Sequence, residues 1–137
     1  VKILDRTNIR HLTGDMVGEE IDLVVADLSF ISLSLVLPAL AAVSKSDADF
    51  VLMVKPQFEV GREKLGAGGV VRDPALRRAA VLDVAESAYD VGLGTMGIAA
   101  SPLPGPAGNV EYFLWLRRGA PAIDAGDVDR AIEMGPA

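Results

Sequence analysis

Apolar, β-rich runs alternate with helix-forming segments along this chain, and this alternation constrains its fold more than any other feature. Two of these runs, over residues 21–26 and 49–54, consist almost entirely of apolar side chains. Strands of this kind are typical of a parallel sheet that is buried on both faces. The chain is therefore predicted to form an α/β domain in which helices cover both sides of such strands.

The clearest helix signal follows a glycine-rich segment. Asp73 is a good N-cap residue and Pro74 suits the first helical position, so a helix is predicted from there to about residue 91, where Gly92 ends it. The preceding residues 61–73 contain several glycines and are predicted to form a loop that acts as a mobile flap.

Shorter runs predict the remaining elements. Strands are predicted over residues 1–4, 98–101 and 111–117, and helical stretches over residues 9–12, 33–43 and 127–134. Pro38 predicts a late start or a kink in the second of these helical stretches. The short Pro/Gly connection at residues 102–108 favours an antiparallel direction for the last strand, so the sheet is predicted to be mostly parallel with a final antiparallel strand.

Composition narrows the chemistry. Half of the 137 residues are hydrophobic, which excludes a disordered chain. The absence of cysteine and the presence of a single histidine, His11, exclude a disulfide scaffold and a thiolate or multi-histidine metal site, so no metal is expected. A net charge of -6 argues against a free-standing nucleic-acid binder, because phosphate contacts require cationic side chains.

Membrane and secretion signals are weak. The longest apolar stretch, residues 30–43, is shorter than the roughly 20 residues of a spanning helix and is interrupted by polar residues and a proline. The chain opens without a signal peptide and with Val1 rather than Met, so a cytoplasmic location and a cut piece of a longer protein are expected.

Two glycine motifs match nucleotide-binding patterns only in letters. The motif G-x-G-x-x-G at residues 92–97 follows a predicted helix and precedes a strand, which is the reverse of the dinucleotide-binding context, so it predicts a helix stop and a turn. The glycines of residues 61–66 have phosphate-loop spacing, but Ala67 and Gly68 stand where lysine and a hydroxyl residue are required.

Charged residues follow the ends of the predicted strands. Asp27 and Lys55 are 28 residues apart, close to one βαβ unit, and should be neighbours at the carboxyl edge of a parallel sheet. Glu111 joins them if the last strand is antiparallel. Each residue taken alone has an ordinary interpretation as a helix cap, a solvated lysine or a surface carboxylate. Three ionisable groups at one edge together indicate a functional site.

Four segments resemble a known family: Asp-Arg-Thr-Asn-Ile-Arg at residues 5–10, Asp-Leu-Ser-Phe at 27–30, Val-Lys-Pro-Gln-Phe-Glu at 54–59 and Asn-Val-Glu-Tyr-Phe at 109–113. Together they resemble the TlyA-type ribosomal RNA methyltransferases, which are often named haemolysins and belong with the FtsJ-like 2′-O-ribose enzymes. The resemblance implies a Rossmann-like S-adenosylmethionine-dependent methyltransferase sheet whose first strands precede this chain. Residues 1–137 would then be the carboxyl-terminal portion of that domain.

The resemblance also implies roles for individual residues. The family uses a Lys-Asp-Lys-Glu tetrad, and its last three members fall on Asp27, Lys55 and Glu111, while the first lysine would lie upstream of this chain. Lys55 would take a proton from the ribose 2′-hydroxyl, and the two carboxylates would orient it. Asp5, Asp27 and Leu28 would contact the cofactor, S-adenosylmethionine. Phe58 and the loop at residues 61–73 are expected to shape the target-nucleotide pocket.

The family context further implies a partner and rival functions. Ribosomal RNA would be bound through an amino-terminal RNA-binding domain outside this chain, so the chain alone is expected to be inactive. Asp-Leu-Ser-Phe at residues 27–30 lacks the two prolines of the signature common in amino-group methyltransferases, which favours an oxygen target. The alternatives are a non-catalytic interaction module or truncated half-domain, and a membrane-active haemolysin.

Overall fold

The computed structural model describes residues 2–136. Within them, the strands are β1 (Ile21–Ala26), β2 (Ser44–Val54), β3 (Leu93–Ala100) and β4 (Tyr112–Arg118). The helices are α1 (Gly14–Val17), α2 (Leu33–Ala42), α3 (Pro74–Asp90) and α4 (Ala125–Met134). The strands form one sheet in the order β1-β2-β4-β3.

The directions of the strands confirm the predicted sheet. β1 runs parallel to β2, whereas β4 is antiparallel to both of its neighbours, β2 and β3. Strands β1, β2 and β3 therefore share one direction and β4 opposes them. This arrangement brings the carboxyl ends of β1 and β2 and the amino end of β4 to the same edge of the sheet.

The helices cover only one face of the sheet. Residues of α2, α3 and α4 join alternate strand residues in a single core, whose largest members are Tyr112, Phe50, Leu37, Leu52, Leu93, Leu114 and Leu116. Between the buried residues of β4, Phe113 and Trp115 point to the opposite face and are exposed. The amphipathic pattern of β4 therefore separates a covered face from an uncovered one.

The prediction that the strands are buried on both faces is wrong. In β1, Val24 is buried but Val25 is 71% exposed. Helices α2 and α3 connect β1 to β2 and β2 to β3, which are parallel pairs that follow one another in the same direction along the sheet. Connections of the same hand that progress in the same direction place their helices on the same side of a sheet. No helix of residues 2–136 lies over the other face, so its apolar side chains meet solvent.

Several element boundaries differ from the predictions. Residues 2–4 form no strand, and Val1 lies outside the described residues. β2 starts at Ser44, earlier than its apolar run, because polar residues continue along the strand before residue 49. α4 starts at Ala125, capped by the side chain of Asp124, rather than at residue 127. α2 starts at Leu33 and continues through Pro38, because the burial of its apolar face offsets one lost backbone hydrogen bond.

The glycine motif at residues 92–97 is mostly strand. Gly92 has a positive φ of 88° and ends the connection from α3, as predicted, but the residues after it belong to β3 rather than to a turn. A Cβ atom at Gly94 would overlap the backbone of Ala120, so this glycine permits a close approach of two chain segments. The loop at residues 61–73 contains short 3-10 turns at Arg62–Lys64 and Ala67–Gly69.

The helices of residues 2–136 are all too short or too polar to span a lipid bilayer.

Candidate active site

The strand register brings the three predicted charged residues to one edge. Val54 pairs with Tyr112 in the antiparallel β2–β4 ladder, so Lys55 and Glu111 are the next residues beyond its end. Asp27 directly follows β1 on the other side of β2. The convergence expected from the sequence is therefore present in the fold.

Asp27 and Lys55 are in direct contact. The Lys55 ammonium forms an ion pair with Oδ1 of Asp27 and donates a hydrogen bond of 3.3 Å to Oγ of Ser29. The Lys55 side chain is 9% exposed, whereas that of Asp27 is 62% exposed. Since a buried ammonium is costly without a partner, the strand-end loop at residues 27–29 is what makes the buried position of Lys55 tolerable.

Glu111 is held by an amide rather than by the lysine. It is 5% exposed, and its Oε2 accepts a hydrogen bond of 2.9 Å from Nε2 of Gln57. The backbone of Gly105 lies so close to the carboxylate that a Cβ atom at this position would overlap it. Within residues 2–136 Glu111 forms no ion pair, so it lies next to the Asp27–Lys55 pair without joining it.

Gln57 belongs to the 3-10 turn Pro56–Phe58, which directly follows Lys55. While its Nε2 bonds to Glu111, its Oε1 is buried and has no hydrogen-bond partner in the described part of the chain. This short segment therefore supplies both donors that hold the two carboxylates of the site: Lys55 for Asp27 and Gln57 for Glu111.

Glu59 ties the same segment to the start of α2. Its Oε2 accepts a hydrogen bond of 2.6 Å from the Ser32 hydroxyl, and its Oε1 accepts one of 2.9 Å from the Leu33 amide. Burial raises the pKa of Glu59, the two hydrogen bonds oppose this effect, and the negative charge of Asp83 on α3 adds to it. The contact fixes the loop after β1 against the segment after β2.

Two phenylalanines border a cavity beside this contact. The Phe30 and Phe58 rings lie with centroids 5.0 Å apart at an angle of 56°. Phe30 is 89% exposed and has a positive φ of 65°, a strained conformation for a residue with a large side chain. With Arg62 and Leu65 from the loop, they line a cavity of about 500 Å³. Phe58 and the loop thus border a cavity, and their role in shaping a target-nucleotide pocket stays a prediction.

A second recess lies on the uncovered face of the sheet, beside Asp27. Its volume is about 260 Å³, and its lining is apolar apart from Asp27, with contributions from Val25, Met53 and Phe113. Leu28 is half-buried and packs against the core. The exposed Asp5 carboxylate forms no hydrogen bond or ion pair with any described residue, so the structure shows no contact between it and Asp27.

Asn109 fastens the glycine-rich loop to the segment that leads to Glu111. Its buried side chain accepts a hydrogen bond of 2.9 Å from the Val71 amide and donates one of 3.1 Å to the Gly69 carbonyl. Gln57 and Asn109 were not singled out from the sequence. Each lies two residues from a predicted site residue, and a polar residue so close to an apolar strand end is the signal that identifies them.

The arrangement suits positioning and proton transfer. A buried amine and two carboxylates at a strand edge can hold a hydroxyl group and accept its proton. The only histidine, His11, lies in the exposed 3-10 turn Ile9–His11, and no cysteine is present. Neither residue type therefore contributes to this site.

Comparison with known proteins agrees with the resemblance drawn from the four sequence segments. Residues 1–118 match the model of the FtsJ-like methyltransferase family. The chain is 57% identical over 141 aligned residues to the 16S/23S rRNA (cytidine-2′-O)-methyltransferase TlyA of Mycobacterium tuberculosis, an alignment that covers 99% of this chain and 53% of that protein.

Solved structures share the fold. A structure from Lactococcus lactis that carries a hemolysin name superposes with a TM-score of 0.89 and 31% identity, covering 97% of this chain and 65% of that one. A similarly named structure from Streptococcus thermophilus gives a TM-score of 0.83 and 33% identity, with 93% and 49% coverage. This chain spans about half the length of the curated mycobacterial relative.

Proposed function

The chain belongs to the FtsJ-like methyltransferase family, and we propose that it supplies the carboxyl-terminal half of an enzyme that methylates a ribose 2′-hydroxyl of ribosomal RNA. The observation that carries this proposal is the contact between buried Lys55 and exposed Asp27 at the sheet edge, with Glu111 beside them. The proposed methyl donor is S-adenosylmethionine. The proposed partner is ribosomal RNA, bound in part by a domain outside this chain.

The residues at the edge fit this donor. S-adenosylmethionine carries a sulfonium and an ammonium group, and an exposed carboxylate such as Asp27 favours cations in its vicinity. The adjacent recess is apolar and therefore suits the uncharged parts of the molecule. Leu28 is proposed to contribute its backbone, and Asp5 is proposed to lie near the adenosine.

The chemistry assigns a task to each of the three charged residues. Bound S-adenosylmethionine supplies a methyl group that its sulfonium already activates. A ribose hydroxyl is a poor nucleophile, so the protein has to align it and remove its proton. Lys55 accepts that proton, and the family tetrad implies a second lysine upstream. Asp27 orients the amine by direct contact, and Glu111 orients it by its negative charge nearby.

The aromatic cavity suits the target nucleotide. Phe30 and Phe58 border it, and aromatic rings are common stacking partners for unpaired RNA bases. Its lining includes Phe30, which follows Ser29, and Gln57, which lies two residues after Lys55. A base held there would bring its own ribose toward the amine.

A chimera tests the proposal. In it, this chain replaces the matching half of the mycobacterial TlyA, so that the rest of the relative supplies the upstream segments. Transfer of labelled methyl groups from S-adenosylmethionine to ribosomal RNA is then measured, with the relative as the positive control. We expect the chimera to methylate the RNA, because the strand-end residues and the loops between them come from this chain alone.

The 137-residue chain without additions is the matched control. We expect it to transfer no methyl groups. A chimera that folds, as judged by a cooperative thermal transition, and binds ribosomal RNA but transfers no methyl groups would contradict the enzyme assignment and favour a non-catalytic module.

A further inference from the structure

The Gln57 amide lowers the stability of the fold compared with an apolar side chain at this position. Its Oε1 is buried without a hydrogen-bond partner, and an unsatisfied buried acceptor costs about 1–3 kcal/mol. An apolar side chain of the same size would avoid that cost. The amide does one thing that such a side chain could not do, which is to donate to Oε2 of Glu111 at 2.9 Å.

Glu111 depends on this donor. It is 5% exposed, and Gln57 provides its only side-chain hydrogen bond among the described residues. The Gly105 backbone also lies close to the carboxylate and limits where it can move. Loss of the amide donor would leave a buried carboxylate to turn toward another partner, and the nearest ammonium in the register is that of Lys55, the residue opposite it beyond the ladder.

We propose that Gln57 is a positioning residue of the methyl-transfer site: its amide holds the Glu111 carboxylate apart from Lys55, so that Asp27 alone pairs with the ammonium. This inference rests on the proposed function. Pro56 supports it mechanically, because it starts the 3-10 turn that carries Gln57 directly after Lys55. Lys55 and the amide that holds Glu111 therefore come from one short segment of the chain.

Three variants of the chimera test the inference. Gln57→Met keeps the length of the side chain and removes the donor. Trp115→Phe is the matched control, because Trp115 Nε1 donates a hydrogen bond of 2.9 Å to the Asp49 carboxylate between the same two strands, away from the site. Gln57→Glu places a second carboxyl group against Glu111, where a shared proton can restore the donor at low pH only.

We expect Gln57→Met to lower kcat by about tenfold or more while KM for S-adenosylmethionine changes less than about twofold. A misplaced Glu111 carboxylate should slow the chemical step and leave the binding of S-adenosylmethionine almost unchanged. Trp115→Phe should keep the full kcat. The kcat of Gln57→Glu, relative to the unsubstituted chimera, should fall as pH rises, because two ionised carboxylates repel. In a Glu111→Ala background, Gln57→Met should have no further effect.

Equal kcat values for Gln57→Met and Trp115→Phe, or an undiminished effect of Gln57→Met in the Glu111→Ala background, would overturn the inference. The unfolding free energies of the same four Gln57 and Glu111 combinations in the chimera decide independently whether the two side chains are coupled. Additive values would overturn the inference even if the unsubstituted chimera proved inactive, which by itself would contradict only the proposed function.

Discussion

Asp27 and Glu111 are the two carboxylates of the site, and they lie in opposite surroundings although one short segment holds both. The Asp27 side chain is 62% exposed and pairs with an ammonium. Glu111 is 5% exposed and accepts a hydrogen bond from a neutral amide. Lys55 and Gln57, the two donors, are separated by a single proline.

The difference indicates separate tasks. An exposed carboxylate can be reached by a ligand, and Asp27 is in addition the charged partner of the buried Lys55 ammonium, so its loss also costs stability. A buried carboxylate is fixed in place, and the protein around it must supply its partners. We therefore propose that Asp27 contacts S-adenosylmethionine and the Lys55 amine, whereas Glu111 provides a fixed negative charge behind the reacting groups.

Removal of Lys55, the residue between the two carboxylates, should have the largest effect on the methyl-transfer rate. Lys55→Met in the chimera is expected to lower the methyl-transfer rate by about 10²–10⁴-fold, because the proton acceptor is lost. The unfolding free energy should change by less than about 1 kcal/mol, since methionine fills the buried volume and Asp27 regains water. Single-turnover kinetics and thermal unfolding measure the two effects. A full rate in this variant would remove Lys55 from the mechanism.

Neutralising the buried carboxylate should have the next largest effect. Glu111→Gln keeps an oxygen that can accept from Gln57, so the fold is expected to be retained, while the rate falls by about tenfold or more because a fixed charge near the reacting groups is gone. The matched control is the Trp115→Phe variant. An unchanged rate would mean that only the shape of Glu111 matters and not its charge.

Neutralising the exposed carboxylate should act on binding instead. Asp27→Asn is expected to weaken the binding of S-adenosylmethionine by about tenfold, equivalent to roughly 1.4 kcal/mol. It is also expected to lower thermal stability, because the buried Lys55 ammonium loses its charged partner. Calorimetric titration of the chimera measures the affinity. If Asp27→Asn lowered the rate without any effect on donor binding, the two carboxylates would not differ in the way proposed.

Glu59 is a third carboxylate beside the site, and its substitution should have the smallest effect, a change in how the unfolding free energy depends on pH. Burial raises its pKa above the unfolded value, so the folded chain binds its proton more tightly than the unfolded chain does. The stability contributed by this group is complete below the unfolded pKa and is lost as pH rises through the folded pKa. Glu59→Gln should remove that part of the pH dependence. Identical slopes of unfolding free energy against pH, in parent and variant, would contradict the assignment.

The sequence was sufficient to predict the sheet edge and the charged residues on it. Asp27 and Lys55 follow apolar runs whose spacing matches a βαβ unit, so their proximity depends only on chain topology. Glu111 required one further step, the antiparallel direction of β4, which the Pro/Gly connection indicated. These predictions succeeded because strand direction and strand ends are encoded locally.

The partner of Glu111 could not be predicted in the same way. The bond from Gln57 depends on the exact register of β2 against β4 and on the reach of one side chain from a 3-10 turn. The burial of β1 was mispredicted for a related reason, because an apolar strand does not say which of its faces a helix will cover. Both features depend on long-range packing that a local pattern does not contain.

The chemical identity of the nucleoside that the chimera produces tests most directly whether the site methylates a ribose 2′-hydroxyl with the help of Lys55. Ribosomal RNA treated with the chimera and S-adenosylmethionine is digested to nucleosides and analysed by mass spectrometry, in parallel with RNA treated with the Lys55→Met variant. We expect a methyl group on the ribose 2′-oxygen from the chimera and at least about a hundredfold less of it from the variant in the same time. Methylation on a base, or an equal yield from the variant, would contradict this expectation.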